Sequence, residues 1–81
     1  MSVYVRFSHE KTAPIFTEYG PYPGVQLRIN ELWILSREGE ALRPLAEYDT
    51  CEGYWSILGL SGDRCYSSMT ITSDPTHMKG A

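Results

Sequence analysis

Between Gly24 and Leu35 the chain reads GVQLRINELWIL, with apolar residues on nearly every second position. Val25, Leu27, Ile29, Trp33 and Leu35 share odd parity, which is the pattern of one face of an extended strand. Glu31 interrupts that row. A carboxylate directed into a core is costly unless it has a partner or a proton. The expected arrangement is a β-bulge at Asn30-Glu31, which shifts parity so that Leu32 and Ile34 continue inward and Glu31 turns to solvent. The alternative keeps Glu31 inside, as a general acid or base or as the anchor of a polar ligand.

Strand signals recur along the chain. Val3, Val5 and Phe7 alternate with Tyr4 and Arg6, and Ile15, Thr17 and Tyr19 alternate with Phe16 and Glu18. Tyr54–Leu60 is apolar on both faces, which suits a central strand or one covered by a partner. Cys65, Met69 and Ile71 form one face of a last strand, opposite the hydroxyl row Tyr66, Ser68, Thr70 and Thr72. Turn chemistry separates these runs: Gly20-Pro21-Tyr22-Pro23-Gly24 as a rigid connection, Arg37-Glu38-Gly39 and Ser61-Gly62-Asp63 as hairpin loops, and Ser73-Asp74-Pro75 as the end of the last strand. Residues 74–81 read as a loose tail.

Glu40–Glu52 supports two readings. As a strand it pairs back on Gly24–Leu35, with Pro44 marking it as an edge. As a helix it begins at Pro44, ends before Gly53 and lines one side with Leu45, Tyr48 and Cys51. Arg43 is a poor helix cap, and Asp49 and Thr50 are weak helix formers, which favours the strand. The predicted fold is therefore mainly β, a small antiparallel sheet of five or six short strands curled into a barrel or paired as a two-sheet sandwich. An α+β fold with one short helix near 44–52 is the second choice.

The chain has 81 residues, enough for one small domain that buries about 60–65% of its unfolded surface. Aromatic residues make up 12% of it, including six Tyr and two Trp, and such side chains suit cores and interfaces alike. Tyr19 and Tyr22 in the loop, Trp33 in the long strand, and the Tyr54-Trp55 pair are the candidate binding residues.

Net charge is −3, and the acids concentrate at Glu38, Glu40, Glu47, Asp49 and Glu52. A nucleic-acid binder carries the opposite balance, and no basic cluster suggests a lipid surface. The start of the chain does not read as a secretory signal, and the longest apolar run, Leu32–Leu35, is far too short to span a bilayer. A cytoplasmic protein is expected, with Cys51 and Cys65 as free thiols.

His9 and Glu31 are the candidate catalytic residues. His9, His77, Cys51 and Cys65 lack metal-ligand spacing, so neither a metal nor any other cofactor is expected. No catalytic motif stands out, and the expected function is a binding module that self-associates through an aromatic-rich apolar face, most simply as a homodimer, with a further protein partner allowed. Two other readings follow from the same residues: a small ligand or enzyme pocket centred on Glu31 with His9 or an arginine, and an acidic inhibitor-like protein whose Glu38–Glu52 stretch caps a basic partner.

Overall fold

The computed structural model describes residues 2–9, 16–35, 41–59 and 65–74. They form eight strands and no helix: β1 (Val3–Ser8), β2 (Phe16–Tyr22), β3 (Val25–Arg28), β4 (Glu31–Leu35), β5 (Leu42–Asp49), β6 (Tyr54–Ile57), β7 (Cys65–Tyr66) and β8 (Ser68–Thr72). All pairings are antiparallel, in a three-stranded sheet ordered β2-β1-β8 and a five-stranded sheet ordered β3-β4-β5-β6-β7. The architecture is the mainly β, two-sheet sandwich that the alternation implies.

The sheets meet through their inward-facing residues. Val5 and Phe7 of β1 pack with Leu32, Ala46, Ile57 and Tyr66 of the larger sheet. Phe7 is the hub, edge-on to Tyr19 at 5.7 Å and to Trp55 at 6.3 Å, and tilted on Tyr66 at 5.5 Å. Full burial of a side chain such as Phe7 or Leu32 contributes about 1.5–3 kcal/mol. Thr17 Oγ1 and the Tyr66 hydroxyl, 3.4 Å apart, link β2 to β7 across the two sheets.

The strand count exceeds the expected five or six for two reasons. Gly24–Leu35 is a hairpin, not one ribbon: Arg28 pairs with Glu31, leaving Ile29-Asn30 as a two-residue loop. Asn30 takes φ of 60°, a region that asparagine tolerates better than most side chains. The parity change at Glu31 is thus a chain reversal, which sends Leu32 and Ile34 inward as a bulge would have done. The second division falls at Ser67, where the chain passes from the larger sheet to the smaller. Tyr66 consequently faces the core, whereas Ser68, Thr70 and Thr72 stand on the outer face of β8, so the hydroxyl row is not one surface.

Two further expectations change. Pro44 does not mark an edge, because β5 lies between β4 and β6. A register shift absorbs the missing amide: Leu32 pairs with Ala46 and Trp33 with Pro44, leaving Leu45 as the extra residue. Gly20-Pro21-Tyr22 is not a connection but the end of β2, where Val3 pairs with Tyr22 and Val5 with Tyr19. The Gly20-Pro21 peptide is cis. Gly20 has φ of 128°, and a Cβ there would lie 3.0 Å from the Val3 carbonyl oxygen, so the bulge requires glycine. The expected loops at 37–39 and 61–63, and residues 75–81 of the tail, lie outside the described residues.

Candidate interaction surface

The larger sheet is two strands wider than the smaller one, and its β3 edge extends past the cover. Val25 still packs against the core and is half-buried. Leu27 lies on the same inward face but is 59% exposed, and Ile29 at the hairpin tip is 90% exposed. Among the described residues β3 pairs only with β4, so its other side presents backbone donors and acceptors to solvent.

The pairing fixes which groups these are. Leu35 N–H donates to the Gly24 carbonyl at 2.9 Å, so Gly24 belongs to a hydrogen-bonded pair. Alternation along an antiparallel ladder then turns Gln26 and Arg28 toward β4, and Val25 and Leu27 toward the open edge. The hairpin is also anchored to the sheet, because Tyr48 N–H donates to the Asn30 carbonyl at 2.9 Å.

On the outer face of this hairpin, Arg28 lies over the Trp33 ring at 4.0 Å and Trp33 Nε1 donates to Glu31 Oε1 at 3.4 Å. Glu31 is thus half-buried on the outer face, opposite Arg28 on one side and Glu47 on the other. It does not point into the core.

His9 is elsewhere. It stacks on Tyr66 at 4.9 Å and lines a cleft of about 180 Å³ with Glu52, Gly53, Tyr54, Cys65 and Ser67. The pocket centred on Glu31 with His9 as second group is therefore not assembled. In the His9 cleft, the Cys65 sulfur is the main reason that the Tyr54 phenol titrates above its ordinary 10.0; desolvation, Asp49 and Glu52 add to the effect.

Tyr19, Tyr22 and Trp55 flank the core, with Trp55 also 5.2 Å from Tyr48. Trp33 and Tyr54 stand on the opposite side of the larger sheet. The aromatic residues singled out in the sequence are thus divided between two faces.

The acidic run has a structural use in part. Asp49 Oδ1 accepts from Cys51 N–H at 2.9 Å and Glu52 N–H at 3.1 Å, closing the β5–β6 turn. Glu47 and Asp49 also line a shallow polar depression with Ser56. Glu38 and Glu40, like His77, lie outside the described residues. Both described cysteines are free thiols, and among the described residues no three His, Cys, Asp or Glu side chains converge to hold a metal.

Sequence reasoning missed two features. Arg6, on the outer face of β1, is only 5% exposed; it pairs with Glu18 and lies 5.3 Å from the Phe16 ring centre. The exposed hairpin tip was hidden by its own apolar residues. Its signal was mirror symmetry: Val25 opposes Ile34, Leu27 opposes Leu32 and Arg28 opposes Glu31. Among the described residues no helix is long and apolar enough to cross a membrane. Set against models of known protein families, curated proteins and solved structures, the chain matches none.

Proposed function

We propose that this protein is a small binding module that self-associates as a homodimer through the β3 edge. The observation carrying this reading is the exposure of Leu27, an inward-facing residue that the smaller sheet leaves uncovered. A cytoplasmic location belongs to the same reading.

A second copy fits the edge by its own symmetry. When β3 meets its twin antiparallel about Leu27, Leu27 opposes Leu27, Val25 opposes Ile29, and Gln26 opposes Arg28. Apolar residues meet apolar ones, and no like charges face each other. Leu27 also has its amide and carbonyl turned outward, so the central pair exchanges two hydrogen bonds. Joining the edges removes the exposed ladder from each copy.

Sedimentation velocity over a wide concentration range tests this. The expected species has twice the 9.2 kDa chain mass and dissociates on dilution. Leu27→Lys is expected to give a folded monomer at every concentration. A parent protein that remains monomeric at high concentration, or a Leu27→Lys variant that dimerises as well as the parent, overturns the proposal.

A further inference from the structure

The cleft beside His9 gathers a thiol, a phenol, an imidazole and a carboxylate that take no part in the β3 edge. Cys65 is a half-buried free thiol on β7, and Tyr54 on β6 carries its hydroxyl to the Cys65 sulfur. The His9 wall is fixed twice. Its ring stacks on Tyr66, and the preceding residue, Ser8, accepts at its carbonyl from Ser67 N–H at 3.1 Å and Ser67 Oγ at 3.2 Å. Glu52, at the mouth, is exposed and places a negative charge there.

We propose that this cleft captures a small cationic aminothiol as a mixed disulfide on Cys65. Size and charge both select the ligand. A cleft of about 180 Å³, open to solvent at its mouth, seats the reacting end of a short-chain thiol. Glu52 favours an ammonium group over a carboxylate at the mouth.

The oxidant is the aminothiol's own symmetrical disulfide. Cys65 releases its proton to solvent, and the thiolate attacks one sulfur of that disulfide. A new S–S bond forms at Cys65 as the old one breaks. The departing thiolate takes a proton from solvent, so Cys65 is oxidised and one aminothiol leaves reduced.

Cystamine and dithiodipropionate are suitable probes, being similar in length and opposite in charge. Each is reacted with the Cys51→Ser protein, where Cys65 alone reports, and with the same protein carrying Glu52→Gln. Intact-mass spectrometry follows the adduct. The preference for cystamine is expected to be about tenfold larger in the Cys51→Ser protein than in its Glu52→Gln variant. It should also fall, within the Cys51→Ser protein, on adding salt. Equal preference with and without Glu52, a preference that survives salt, or a Cys65 that reacts only in denaturant overturns the proposal.

Discussion

Leu27 and Leu32 face each other across the β3–β4 ladder, yet Leu32 is fully buried and Leu27 is 59% exposed. One pair of leucines thus marks where the smaller sheet stops. Truncating the two should have unequal effects. Leu32→Ala removes a fully packed side chain and is expected to cost about 2–5 kcal/mol. Leu27→Ala is expected to cost well under about 1 kcal/mol in the isolated subunit. Urea denaturation at low protein concentration measures both, and similar losses would refute the uneven cover.

The loop between those strands depends on one backbone conformation. Asn30 has φ of 60°, which most side chains adopt only with strain. Asn30→Ala is expected to destabilise by about 1 kcal/mol, and Asn30→Gly to be nearly neutral. The two variants share the loss of the asparagine side chain, so a difference between their unfolding midpoints isolates the backbone term.

Arg28 over Trp33 is expected to contribute a coupling of about 0.5–1 kcal/mol. A double-mutant cycle with Arg28→Ala and Trp33→Leu reads it directly. The outer face of the hairpin is distinct from its free edge, so neither single variant should abolish association.

Burial, partly offset by Arg43, holds the Tyr22 phenol above its ordinary value of 10.0. Below that value the phenol is neutral in folded and unfolded chains, and its contribution to stability is fully present. Above it the unfolded chain ionises first, so stability falls with rising pH until folded Tyr22 also ionises. Tyr54 shifts in the same direction. The comparison is therefore between the parent and Tyr22→Phe, and the variant should lose less thermal stability on going from neutral to strongly alkaline pH.

Much of this fold could be read from period alone. Alternation located β1 and the start of β2, and the double-sided apolar run placed Tyr54 in a strand that proves central. Weak helix formers at Asp49 and Thr50 correctly favoured a strand before them. The failures share a physical origin. Period two records which side of a sheet a residue faces, but a reversal and a bulge change that parity alike, as at Asn30-Glu31. Tyr66 and Ser68 likewise keep step along the sequence although the chain changes sheets between them. Of the site, Trp33 was legible as a large aromatic residue. Leu27 was not, because its exposure depends on how far a second sheet extends, and that is a property of the assembled sandwich.

The smaller sheet has a consequence for biosynthesis. Its middle strand, β1, leaves the ribosome ahead of the seven other described strands, of which β8 is the last; Ser8 and Ser68, side by side in the finished sheet, are 60 positions apart. Until that distance has been translated, Val5 and Phe7 lack half of their flanking ladder. The nascent chain must therefore carry Val5 and Phe7 half-flanked while those 60 positions are translated, which makes slow or crowded synthesis the condition most prone to aggregation.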